Sequence, residues 1–79
     1  MLKLFVKMGC PYCKKVMDAN HDGIGADMEL LYITHEENAK TLVETGGKRQ
    51  VPFLVDDERE VSMYESDDII DYLGENYGS

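Results

Sequence analysis

Cysteine and histidine are scarce in this chain, with two of each among 79 residues. Two cysteines are too few to staple a small secreted scaffold. Together with His21 and His35 they fit no zinc-finger spacing, so no metal is expected. Long apolar runs are missing as well, and nothing approaches the roughly 20 residues of a membrane span. The opening Met1-Leu2-Lys3-Leu4-Phe5-Val6-Lys7 has too short an apolar run for a secretory leader and no small-residue cleavage site. A cytoplasmic protein without a membrane partner is therefore expected. Basic residues are few, since eight Lys and Arg stand against sixteen Asp and Glu for a net charge of −8. That balance lacks the basic footprint of a nucleic-acid binder, so no nucleic-acid partner is expected. No internal repeat, low-complexity segment or linker divides the chain, and one domain over residues 1–79 is expected.

The charge is uneven. Residues 1–15 hold Lys3, Lys7, Lys14 and Lys15 and no acid, while all sixteen acids lie from Asp18 onward. An anionic thiol substrate would be drawn to the basic end, and the acids elsewhere keep a small domain soluble. Both cysteines sit at that basic end, in Gly9-Cys10-Pro11-Tyr12-Cys13-Lys14-Lys15. Cys-x-x-Cys after an apolar strand-like run reads as a redox dithiol. Pro11 suits the first turn of a helix, because its φ is preset and its missing N–H has no partner there. Cys10 then falls at or beside the N-cap and Cys13 one turn in. Unpaired N–H groups and the positive dipole end favour thiolate at Cys10, and Lys7, Lys14 and Lys15 add charge nearby. Cys10 is the expected nucleophile and Cys13 the resolving thiol. Inert buried thiols, a static disulfide and a metal site are the alternatives. A disulfide at this spacing closes a very small loop and constrains the unfolded chain little.

The rest of the chain alternates strand and helix signals. Leu2 to Val6 reads as a strand. Cys13, Val16 and Met17 repeat at helical spacing, up to the turn cluster at 20–25. Met28 to Ile33 is nearly continuous in apolar residues and predicts a central parallel strand covered on both faces. Thr34-His35-Glu36-Glu37 reads as a capping box with Thr34 as N-cap, before a helix with Ala39, Leu42 and Val43 inward that stops at Gly46-Gly47. Phe53 to Val55 and Glu60 to Met63 predict a hairpin around a polar turn at Asp56-Asp57-Glu58. Ser66-Asp67-Asp68 reads as a helix start with Ser66 as N-cap and Ile69, Ile70 and Leu73 inward. His21 and His35 are expected to be exposed. The order β-α-β-α-β-β-α implies an α/β fold, a four-stranded mixed sheet with helices on both faces. The dithiol lies where ligands bind, beyond the first strand's carboxyl end.

Cys10-Pro11-Tyr12-Cys13 in this element order resembles the dithiol glutaredoxins, of the thioredoxin-like fold, over nearly the whole chain. The resemblance implies a monomeric thiol–disulfide oxidoreductase that uses glutathione as reducing co-substrate on disulfide-containing proteins and glutathione mixed disulfides. It implies that Lys7 contacts glutathione and favours the thiolate, and that Tyr12 shapes and covers the site. It further implies that Val51-Pro52 holds a cis proline and pairs with the cysteinyl part of glutathione. Arg49 would meet the glycyl carboxylate, and Ser66 and Asp67 the γ-glutamyl end.

Gln50 departs from the usual Thr before Val-Pro, and Tyr64-Glu65 replaces Gly-Gly, so that Tyr64 is expected to narrow the groove. Glu65-Ser66-Asp67 with Ile69-Ile70 looks instead like the N-terminal domain of glutathione transferases, where a Glu-Ser pair holds the γ-glutamyl group. The alternatives are a hydrogen donor reduced by thioredoxin reductase, a glutathione-ligated iron–sulfur carrier, and a transferase-like domain that binds glutathione without reductase activity.

Overall fold

The computed structural model describes residues 2–78, one residue short of the expected domain bounds at each end. Seven elements follow in the expected order: β1 (Leu2–Val6), α1 (Pro11–Ala19), β2 (Met28–Tyr32), α2 (Glu36–Gly46), β3 (Phe53–Asp56), β4 (Val61–Met63) and α3 (Ser66–Tyr77). They build one four-stranded mixed sheet in the order β2-β1-β3-β4. β1 runs parallel to β2 and antiparallel to β3, which pairs antiparallel with β4.

Two cores form because side chains alternate along a strand. Leu2, Leu4 and Val6 point to one face, where Cys13 and Val16 of α1 and Ile69 and Leu73 of α3 cover them. Phe5 and Phe53 point to the other face and meet Ala39 and Leu42 of α2. β1 is thus covered on both faces, as is its neighbour β3, with Leu54 in one core and Phe53 in the other. The continuous apolar run of β2 suggested that place for β2, but β2 is an edge strand, and Leu30 stays 39% exposed. Val43 is likewise outward, at 41% exposure, because the turn-by-turn seam of α2 runs through Ala39 and Leu42.

The helix ends depart from the sequence signals in three places. α1 passes into one π-helical turn, Asn20–Ile24, closed by Gly25 N–H to the Asn20 carbonyl at 2.7 Å. The Asn20 side chain then bonds both backbone groups of Ala26, at 2.8 and 2.9 Å, and leads the chain into β2. α2 is capped by His35 and not Thr34, because the Tyr32 carbonyl takes the His35 N–H at 3.1 Å and places Thr34 inside that turn. α3 is capped by Glu65, which puts Ser66 one place inside the helix.

Asp56 is not a turn residue. It ends β3 with no exposed surface. Burial opposes its charge, but hydroxyls of Tyr72 (2.6 Å) and Tyr77 (2.5 Å) and the backbone N–H groups of Arg59 and Glu58 outweigh that. They hold the carboxyl below the ordinary carboxylate range. The Arg59 guanidinium stands 4.0 Å away and covers the Tyr77 ring. Burial and the Asp56 carboxylate push Tyr72 up to about 12. The cluster ties the end of α3 to the β3–β4 turn.

Two consequences for stability follow from the sign of these shifts. A depressed carboxyl stabilises the fold above its unfolded pKa of about 4, and that contribution disappears as pH falls through the folded value. A raised tyrosine contributes fully below about 10, and its share is lost as pH climbs toward 12. Tyr72→Phe removes one donor to a charged acceptor and is expected to cost about 1.5–3 kcal/mol in urea unfolding. It should also start acid unfolding at a higher pH than in the wild type. An unchanged urea midpoint and acid transition would dismiss the cluster as a stabilising element.

Candidate functional site

The dithiol sits where β1 hands over to α1. Gly9 takes a left-handed φ of 78°, a conformation that suits glycine, and reverses the chain after the strand. Cys10 follows as the N-cap of α1 in extended conformation, with Pro11 behind it. Its Sγ accepts the Cys13 N–H at 3.3 Å. A sulfur therefore does what an N-cap oxygen ordinarily does. Cys10 is half-buried and Cys13 has no exposed surface, and both are free thiols.

Their surroundings separate the two sulfurs. For Cys10, burial opposes the thiolate, but hydrogen bonds from the Cys13 side chain and backbone and from the Tyr12 N–H, with the charge of Lys7, hold it below the ordinary thiol value. For Cys13, burial comes first, and the hydrogen bond and charge of Cys10 add to it, which pushes the thiol up to about 12. Lys7 is the lysine that matters here. Lys14 is bound to Asp18 at 2.6 Å, Lys15 pairs with Asp67, and Lys3 lies 3.6 Å from Asp57. Of the four N-terminal lysines, Lys7 alone has no carboxylate partner among the described residues.

Beside the dithiol lies a cavity of about 470 Å³. Tyr12 and Lys15 of α1 border it, one wall is Gln50, Val51 and Pro52 before β3, and the other is Glu65, Ser66 and Asp67 at the start of α3. The Val51–Pro52 peptide is cis. Five of the expected contacts thus come together here: Tyr12, Val51, Pro52, Ser66 and Asp67. Tyr12 is 63% exposed and forms the rim, while Ser66 is buried. The first turn of α3, which carries Asp67 and Asp68, borders the cavity through Ser66 and Asp67. Glu65 holds φ 70° and ψ 115°, a conformation that costs a non-glycine residue on the order of 1–3 kcal/mol and gathers at functional sites.

The other expected contacts lie elsewhere. Lys7 and Cys10 line a separate hollow of about 380 Å³ with Met8, Pro11, Lys14 and Tyr32. Arg49 faces a third hollow along α2, with Thr34, Glu37 and Lys40 among its neighbours. The turn after α2 explains this. Gly47 is left-handed (φ 91°) and the Gln50 N–H closes onto the Lys48 carbonyl at 3.0 Å, so consecutive residues Arg49 and Gln50 face opposite sides. Gln50, Lys15 and Glu65 are the lining residues absent from the expected contact set. Each carried a signal short of a contact: Glu65 in its Glu-Ser pair, Gln50 in its place before Val-Pro and Lys15 as charge beside the dithiol. Tyr64 does not narrow the cavity. Its ring packs on Phe53, 4.5 Å between centroids, and its hydroxyl turns to Lys48.

Among the described residues no group of three or more His, Cys, Asp and Glu side chains is placed to hold a metal ion. No helix among them is long and apolar enough to cross a membrane.

Comparison with known proteins identifies the architecture. The model of the glutathione S-transferase N-terminal domain matches residues 4–79. No curated protein sequence matches the chain significantly. Solved structures do. A delta-class glutathione transferase of Nilaparvata lugens superposes with a TM-score of 0.82 at 23% identity, covering 100% of this chain and 37% of that one. An unclassified glutathione S-transferase of Bombyx mori gives 0.82 at 22%, covering 99% and 36%. A glutathione S-transferase of the Antarctic clam Laternula elliptica gives 0.78 at 25%, covering 96% and 35%. The chain therefore spans little more than a third of the length of these transferases. Of the two resemblances read from the sequence, the family match carries the one to the transferase domain. This chain belongs to the glutathione S-transferase N-terminal domain family, with the thioredoxin-like α/β fold.

Proposed function

We propose that this domain is a glutathione-dependent thiol–disulfide oxidoreductase, with Cys10 as nucleophile and Cys13 as resolving thiol. One observation carries the proposal: Cys10 Sγ caps α1 and accepts the Cys13 N–H at 3.3 Å, half-buried, while its partner sulfur is fully buried. The Cys10 thiolate attacks one sulfur of a disulfide. That S–S bond breaks, the outer thiolate leaves, and a mixed disulfide forms on Cys10. The Cys10 charge that raised Cys13 is then gone, and Cys13 ionises more readily. Its thiolate attacks Cys10 Sγ, releases the second substrate thiol and closes the Cys10–Cys13 disulfide. One glutathione thiolate reopens that bond and becomes bound to Cys10. A second attacks the glutathionyl sulfur, which leaves glutathione disulfide and the Cys10 thiolate.

In this reading the cavity holds glutathione. Ser66 and the N-terminal N–H groups of α3 take the γ-glutamyl carboxylate, and Asp67 its ammonium, in exchange for Lys15. The backbone of Val51 pairs with the cysteinyl unit, Pro52 packs beside it, and Tyr12 covers it. Lys7 supports the thiolate from the opposite hollow. Arg49 faces away from the cavity and has no place in this contact set.

The family match favours a second reading, in which the domain binds glutathione as part of a transferase and exchanges no disulfide. Both readings require glutathione in the cavity; only the first requires Cys10 chemistry.

Turnover of a small glutathione mixed disulfide, coupled to glutathione reductase, separates them. Wild type should turn over, Cys13→Ser should stay within about tenfold of it, and Cys10→Ser should fall to background. A Cys10→Ser variant that keeps full activity would favour the transferase reading. The rate of alkylation by iodoacetamide should rise with pH through a midpoint below the roughly 8.5 of a free thiol. Cys13→Ala and Lys7→Met should each move that midpoint upward, because each removes a group that favours the thiolate. A wild-type midpoint at or above the free-thiol value would remove Cys10 as an activated nucleophile. Glu65→Gly relieves the left-handed backbone. It should be more stable by about 1 kcal/mol, as strain relief of about 1–3 exceeds glycine's added entropy of about 0.5–1. The same variant should bind glutathione more weakly.

A further inference from the structure

Tyr64 belongs to neither wall of the cavity, yet it is linked to both, to one along the chain at Glu65 and to the other through Lys48. It immediately precedes Glu65, the strained first residue of the α3 wall. Its hydroxyl donates to the Lys48 carbonyl at 2.7 Å and receives the Lys48 N–H at 3.3 Å. The same carbonyl accepts the N–H of Gln50, the first residue of the opposite wall, at 3.0 Å. Three further contacts fix the ring: Phe53 of β3 at 4.5 Å, the Lys48 ammonium at 4.9 Å over its face, and the end of α2 at Gly46. A Cβ at Gly46 would stand 2.1 Å from the Tyr64 hydroxyl oxygen. The tyrosine fills the space that glycine leaves, and no larger residue fits at position 46 without moving it.

We propose that Tyr64 is a positioning residue that sets the spacing between the two walls, and so the affinity of the cavity for a γ-glutamyl tripeptide thiol. The proposal rests on the reading of the cavity as a glutathione site. The reasoning is mechanical. The segment from Lys48 to Val51 is irregular, and its own turn is held by the Gln50–Lys48 bond. A single side chain, from the residue just before the far wall, bonds the carbonyl at the base of that turn. Loosening it leaves both walls intact and lets the distance between them vary. A ligand that must touch Val51 on one side and Ser66 on the other then binds a site that is less often correctly spaced. Cys10 takes no bond from this set, so the chemistry at sulfur is untouched.

Tyr64→Phe tests this, because it keeps the ring on Phe53 and removes only the hydroxyl. The dissociation constant of S-methylglutathione, which cannot exchange disulfides, should rise about tenfold. KM for glutathione should rise with it, while kcat at saturation and the Cys10 alkylation profile stay those of the wild type. Amide exchange at Lys48 and Gln50 should speed up. Gly46→Ala displaces the hydroxyl from the other side and should weaken binding too. Combined with Tyr64→Phe, it should add less than its effect alone. An unchanged dissociation constant in Tyr64→Phe, a fall in kcat at constant KM, or additive losses in the double variant overturns the proposal. Failure of the wild type to bind S-methylglutathione removes the glutathione reading itself, and the proposal with it.

Discussion

β1 has no free face, and the rest of the fold is arranged to cover it. Leu2, Leu4 and Val6 are sealed by α1 and α3, and Phe5 by α2. Each such side chain contributes up to about 1.5–3 kcal/mol of transfer free energy. That is a large share of the roughly 5–15 kcal/mol that holds a domain folded. The exposed ion pairs Lys14–Asp18 and Lys40–Glu44 are screened by solvent and decide little. The placement of Cys10 is inherited from this core. Val6 ends the buried strand, Gly9 reverses the chain, and the helix that must return to cover β1 begins at the sulfur.

The difference between the two thiols comes from the same arrangement. Cys13 lies on the face of α1 that seals β1, so it is dry and holds its proton. Cys10 is one turn earlier, at the open end, where helix N–H groups are unpaired. Neither environment needs a dedicated acid or base. The positions of the two sulfurs along one helix, three residues apart, impose opposite conditions on identical side chains. The lysines beside them contribute less than their number suggests, since three of the four have carboxylate partners.

What could be read from the sequence is what depends on near neighbours. The bounds of β1, the proline-led start of α1 and the glycine stop of α2 are local, and they were legible. The place of β2 at the sheet edge was not, because an apolar run reads alike in a central strand and in an edge strand with one face half covered. Asp56 looked like a turn acid, since its partners Tyr72 and Tyr77 lie 16 and 21 residues further on. Thr34 lost its cap to a turn that the Tyr32 carbonyl closes one residue later. Arg49 and Gln50 are adjacent and both polar. Which one enters the cavity depends on a left-handed glycine and one backbone bond, and neither has a signature in residue type. Tyr64 was legible as bulky but not as directed away, since direction depends on Gly46 and Phe53.

The sheet register explains why the two cysteines near the start of the chain lie beside a cavity lined mostly by residues 50–67. β1 and β3 are antiparallel, with Phe5 opposite Phe53 and Leu2 opposite Asp56. The carboxyl end of β1, which leads to Cys10, therefore lies beside the amino end of β3, which Val51 and Pro52 precede. The start of α3 reaches the same edge because β4 runs antiparallel to β3 and delivers the chain there. The opposite edge receives Asp56, and with it the tyrosines at the far end of α3. One antiparallel pairing thus divides the molecule. At one pole a buried carboxylate ties α3 to the sheet. At the other pole α3 is left to offer its N-terminus, and Tyr64 holds that N-terminus to the loop across from it.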